Sequence, residues 1–97
     1  MNGKVRFQEK FRRDFITRLL NCGSVQDRQT RESIIGELRG NIRDYTRNDN
    51  PRTDAANLVN RCLDFEGGIE ELVDAVRFHE GHTLPMMNIY RLAKKWT

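Results

Sequence analysis

The chain has 97 residues, of which 37% are hydrophobic and 32% charged, with a formal net charge of +3. That length buries one core rather than two, and the composition is too apolar for a disordered tail and too polar for a membrane span. No stretch nears the roughly 18 uninterrupted apolar residues of a transmembrane helix, and the start, MNGKVRFQEKFRRDF, lacks the apolar block of a signal peptide.

The periodicity predicts helices throughout, with no strand-like alternation. The first runs from about Phe7 to Asn21, with Phe11, Phe15, Ile16, Leu19 and Leu20 on one side and Gly23 as its stop. Ser24 is a candidate N-cap for a second helix, supported by Asp27 in its first turn. That helix runs to about Leu38 and buries Ile34, Ile35 and Leu38, and Gly40 breaks it. A short third helix from Asn41 to about Thr46 offers Ile42 and Tyr45. Residues 47–53, RNDNPRT, form the clearest loop, because Asn, Asp and Pro favour turns and Pro51 pushes its predecessor away from helix.

Thr53 is the candidate cap of a fourth helix to about Phe65, facing inward with Ala55, Leu58, Val59, Cys62 and Leu63. Gly67-Gly68 separates it from a fifth, whose Ile69, Leu72, Val73 and Val76 form a narrow apolar stripe ended by Gly81. Thr83 starts the last helix with Pro85 in its first turn. Leu84, Ile89, Leu92, Ala93 and Trp96 are its expected core face. The whole reads as one domain over residues 1–97, with 1–6 free to fray, and cytoplasmic. Cys22 and Cys62 are too few for a disulfide framework and read as buried free thiols.

The run CLDFEGGIEELVDAVRFHEG, residues 62–81, followed by HTLPMMNI, resembles a signature of the bacterial effector-associated domains of the second class. Weaker likeness lies in SVQDRQTRESIIGEL, residues 24–38, and the resemblance extends from about Phe11 to Leu92. It implies an all-α fold: a compact antiparallel six-helix bundle of death-domain-like architecture. It also implies a protein-interaction module that couples proteases, caspase-like domains or nucleotide-dependent switches in bacterial conflict systems, either as a stand-alone adaptor or as a domain of a larger effector. The expected partner carries a related domain or is a second copy of the chain.

Charge is distributed unevenly. Residues 1–48 carry eleven basic against six acidic side chains (+5), and residues 49–97 carry six against eight (−2). This asymmetry favours oriented association between copies or related modules. Arg6, Lys10 and Arg13 share one stripe of the first helix. Their natural counterpart is the acidic run Asp64, Glu66, Glu70, Glu71 and Asp74. Glu70 and Asp74 stand one turn apart, a like-charge spacing that costs an isolated helix about 0.2–0.5 kcal/mol. Acids in a first turn also complement the helix dipole, which accounts for Glu70 and Glu71 better than for Asp74. Phe78 lies off the apolar stripe, on the acidic side, where it serves as a contact anchor unless the last helix or the loop before it covers the ring. The partner-binding set is therefore Arg6, Lys10, Arg13, Glu66, Glu70, Asp74 and Phe78. Arg12 projects toward the apolar side, with its stem over the core edge.

No catalytic residue, metal site or cofactor is expected. His79 and His82 lack the paired spacing of a zinc site and read as cations at a helix C-terminus. No nucleophile motif frames Ser24 or Ser33, and Gly67-Gly68 has neither the lysine nor the strand of a phosphate loop. The rival reading is a nucleic-acid-binding helical domain, motivated by a pI of about 9.2. The acidic run and the lack of aromatics among the basic residues count against it, so no nucleic acid is expected. An inert helical spacer is the third possibility.

Overall fold

A computed structural model describes the backbone of residues 2–96 and the side chains of residues 8–95. Among these described residues are seven helices: α1 (Asn2–Leu20), α2 (Gly23–Gln26), α3 (Arg28–Gly36), α4 (Gly40–Arg43), α5 (Pro51–Leu63), α6 (Gly68–Glu80) and α7 (Leu84–Trp96). No strand occurs among the described residues.

The expected six helices become seven because the second one divides. Asp27 does not sit in a first turn. It is the N-cap of α3, with extended backbone, and its carboxylate accepts from the Thr30 backbone N–H at 2.9 Å. An extended residue cannot continue the helix before it, so α2 ends at Gln26. The expected cap of α5 also moves. Asn50, not Thr53, is the N-cap and accepts from the Thr53 N–H at 3.0 Å, with Pro51 opening the helix. The first helix starts at Asn2 rather than near Phe7.

One core joins the helices: Phe11, Phe15, Ile16 and Leu19 of α1 meet Leu58, Val59 and Cys62 of α5 and Ile89 and Leu92 of α7, with Ile34, Ile35, Leu38, Ile42 and Tyr45 closing one side. α6 packs against α2, α3, α5 and α7. Its buried surface is accordingly wider than the expected stripe and includes Ala75 as well as Ile69, Leu72, Val73 and Val76. In α7 the expectation for Leu84 fails. Leu84 is 79% exposed and Met86 takes the core position. Five residues separate Leu84 from Ile89, which at 100° per residue leaves them about 140° apart around the helix. Trp96 has a side chain outside the described residues.

The reversal between α5 and α6 explains the glycine pair. Gly67 adopts φ +75°, the left-handed region that side chains avoid. Gly68 lies so close to α5 that a Cβ there would stand 2.1 Å from the Cys62 carbonyl oxygen. No side chain fits. The turn is closed by the Phe65 N–H donating to Cys62 O (3.2 Å) and the Gly68 N–H donating to Phe65 O (3.0 Å).

Both cysteines are free and fully buried. Burial first, and a nearby carboxylate second (Glu80 for Cys22, Glu71 for Cys62), pushes each thiol up to about 12. They are protonated packing groups.

Candidate interaction site

The charged side chains fall into two groups, and the division begins at Arg31. It lies on the apolar face of α3, one turn before Ile34 and Ile35, and is only 4% exposed. Its guanidinium donates through Nε to the Asp54 carboxylate at 3.0 Å and through Nη1 to the Val25 carbonyl at 2.7 Å. Asp54, 2% exposed, also accepts from the Asn48 N–H at 3.0 Å. One buried ion pair thus receives the end of α2, anchors α3, and holds the loop before α5. Burial, followed by the Asp54 charge, pushes the Tyr45 hydroxyl's pKa up, keeping it protonated beside the pair.

Arg39 performs a similar task at the surface. Its backbone N–H and its Nε donate to the two oxygens of Glu71 at 2.7 and 2.9 Å, and its Nη2 donates to the Glu66 carbonyl at 2.8 Å. The guanidinium also lies over the Phe65 ring, which Arg61 approaches as well. Hydrogen bonds from Arg39 hold the Glu71 carboxyl below its usual pKa, the backbone donor first. Glu80 closes the other end of α6 by accepting from the Ser24 N–H and the Thr83 hydroxyl. Burial opposes its ionisation, but these bonds outweigh it, so its pKa is lowered. His79 pairs with Glu37, joining α6 to the residue that caps α3. It is a structural contact more than a decoration of a helix end.

Further basic side chains of the N-terminal half are engaged in the same way. Arg12 bonds Glu9 and Asn60, Arg18 donates to the Asn88 carbonyl, and Arg47 pairs with Glu32 while lying over Tyr45. Of the bases in that half, Arg28, Arg31 and Arg39 meet acids of the other half.

What remains is the second group. Glu66, Glu70 and Asp74 are exposed and have no ion pair or side-chain hydrogen bond among the described residues. Glu70, Asp74 and Phe78 follow one another at four-residue spacing along the outer ridge of α6, and Phe78 is 77% exposed. Neither α7 nor its loop covers the ring; among the described residues its ring contact is with the adjoining His79. Lys10 and Arg13 are exposed on α1 and have no ion pair among the described residues. Arg6, the third member of that stripe, has a side chain outside the described residues. The acidic and basic groups stand on α6 and α1, which both pack on α5 and α7.

A basic surface that the linear charge count did not predict lies between α1 and α7. Arg18, Arg91, Lys94 and Lys95 line one groove there with Asn21 and Asn88. Next to it, Lys10, Asp14, Arg18 and Lys95 surround a small cavity floored by Phe11 and Leu92. Counting by halves hid this surface, because α7 belongs to the acidic half of the sequence. The signal available was the run Arg91, Lys94, Lys95 at helical spacing.

The family model for effector-associated domain 2 matches residues 16–94. The chain belongs to that family. No curated protein and no solved structure matches it. In this effector-associated domain the signature run has two roles. Cys62, Phe65, Gly67, Gly68 and Glu71 build the α5–α6 reversal, whereas Glu66, Glu70, Asp74 and Phe78 project outward. Among the described residues no three His, Cys, Asp or Glu side chains gather to hold a metal ion, and no helix is long and apolar enough to cross a membrane.

Proposed function

We propose that this effector-associated domain is a non-catalytic adaptor that binds another copy of itself, or a related death-like module on a partner effector, through oppositely charged faces. The partners are the effectors of bacterial conflict signalling, such as proteases, caspase-like proteins or nucleotide-dependent switches, and the setting is the cytoplasm. A death-domain-like arrangement of the helices fits an all-helical chain of this size.

The observation that carries this reading is the unpaired ridge Glu70, Asp74, Phe78. Elsewhere most exposed charges find partners within the chain, yet these acids tolerate mutual repulsion beside a solvent-exposed aromatic. Such a ridge gains by meeting a basic partner surface, and the unpaired Lys10 and Arg13 offer one. Contact between two different faces is heterologous and propagates into rings or filaments.

Light scattering and pull-down against the effector encoded beside this domain, at low and high salt, test the reading. Association that weakens with salt and is lost in a Glu70→Arg/Asp74→Arg variant is expected. Salt-insensitive binding, or wild-type binding by that variant, counts against charged-face contact. The basic lining of the α1–α7 groove favours the rival, nucleic-acid binding. A gel-shift titration decides it, since steep salt-sensitive retention of DNA would favour the rival.

A further inference from the structure

The α6 ridge and the α1–α7 cavity carry opposite charge, and each pairs its charges with an apolar feature. The ridge presents two carboxylates followed, one turn later, by an exposed phenyl ring. The cavity measures about 270 Å³, has an apolar floor of Phe11 and Leu92, and carries the cations Lys10, Arg18 and Lys95 around it. Among the described residues Asp14 is the acid that lines it, and Arg18 lies 3.9 Å from that carboxylate. An apolar pocket ringed by cations suits an aromatic side chain flanked by acids.

The two surfaces cannot meet within one molecule. Phe78 lies close to the α6–α7 turn, whereas the cavity lies at the far end of α7. Arg18 reaches the Asn88 carbonyl, so α1 runs antiparallel to α7 and its Phe11 falls opposite Leu92. From Leu84 to Lys95 the helix rises about 16 Å. Opposite placement is what head-to-tail assembly needs.

We infer that Phe78 of one copy inserts into the Phe11–Leu92 cavity of the next, with Glu70 and Asp74 on the cations around its mouth. This rests on the adaptor reading and deepens it. It names a second copy as the occupant, and it assigns the receiving face to the α1–α7 seam, so that Lys95 joins Lys10 in a role the α1 stripe alone was given. Phe78 supplies the apolar anchor, and the charges set orientation and salt dependence.

Sedimentation velocity of the full chain across a concentration series tests it. Phe78→Ala and the double variant Lys10→Glu/Lys95→Glu change only exposed side chains, and unchanged circular dichroism confirms the fold. Each variant alone is expected to be monomeric, with self-association weakened about thirtyfold, as for loss of one buried aromatic anchor. Mixed together, they retain one intact cavity and one intact ridge and are expected to form a 1:1 dimer that grows no further.

Wild-type self-association by Phe78→Ala, or a mixture that stays monomeric, overturns the cavity assignment. If Glu70→Arg/Asp74→Arg still abolishes association, the charged-face reading survives that result; if it too associates as wild type, both fall. A wild-type chain that remains monomeric at about millimolar concentration rules out the second copy as occupant. The pull-down against the neighbouring effector then judges the adaptor reading separately.

Discussion

The seam between neighbouring helices and the outer ridge of α6 are both rich in charge, and they handle it in opposite ways. In the seam, Arg31 meets Asp54, Arg39 meets Glu71 and His79 meets Glu37, each linking helices distant in sequence. On the ridge, Glu70 and Asp74 meet no partner among the described residues. Glu70 and Glu71 are neighbours with the same chemistry, yet the 100° between them on the helix points one at Arg39 and the other at solvent. Charge as such therefore marks neither fold nor function in this domain. Whether a charge is satisfied within the chain is what separates the two.

The comparison is broken most severely at Arg31. Arg31→Met leaves Asp54 ionised and buried without its partner, and loss of about 3–5 kcal/mol is expected. Against a typical domain stability of about 5–15 kcal/mol, that brings the variant near unfolding at ordinary temperature. Adding Asp54→Leu should restore a large part of the loss by removing the stranded charge, although the Asn48 N–H then loses its acceptor. Urea unfolding of the two variants and wild type measures this. A single variant within about 1 kcal/mol of wild type would mean that the seam does not depend on its buried pair.

Most of the helices and nearly all of the core were legible from apolar spacing, because side chains at positions three and four apart must share a face. The misses have definite causes. Asp27 reads equally well as first-turn acid or as N-cap, and only the packing of α2 against α1 and α6 selects the cap. Leu84 was assigned by its chemistry rather than its angle. Arg31 and Asp54 each occupy a core-facing position, a signal their charge conceals. Arg31 lies three and four residues before Ile34 and Ile35, and Asp54 lies four before Leu58. For the interaction site, the acidic ridge could be read from one helix. The basic seam could not, since it joins α1 to α7 across the whole sequence.

A smaller effect sharpens the contrast between the two adjacent glutamates. The folded pKa of Glu71 lies below its ordinary value of 4.5, so its contribution is complete above that pH and drains as pH falls through the folded value. Glu71→Gln should cost about 1 kcal/mol at pH 7, the scale of a partly exposed charge-assisted hydrogen bond. The gap from wild type should narrow below about pH 4, where wild type loses the same interaction. Denaturation midpoints at pH 7 and pH 3 check both parts. A constant gap would show that the charge on Glu71 is irrelevant, and that its role is one of shape.

The smallest effect on stability is expected on the ridge, and there it should accompany a large effect on association. Glu70→Gln/Asp74→Asn removes two charges without changing size. No partner within the chain is deprived, so stability should remain within about 0.5 kcal/mol of wild type. A slight gain is the favoured direction, because repulsion between acids one turn apart is relieved. The dipole works against that gain at Glu70, in the first turn of α6, and much less at Asp74. Asp74→Asn alone should therefore be the more stabilising of the two single changes. Thermal melts and sedimentation on the same preparations report both properties together. A loss of more than about 1 kcal/mol would mean that the ridge belongs to the fold after all. Unchanged stability with weakened association would leave the ridge acids with no duty inside the molecule, which is the property expected of a surface shaped for a partner.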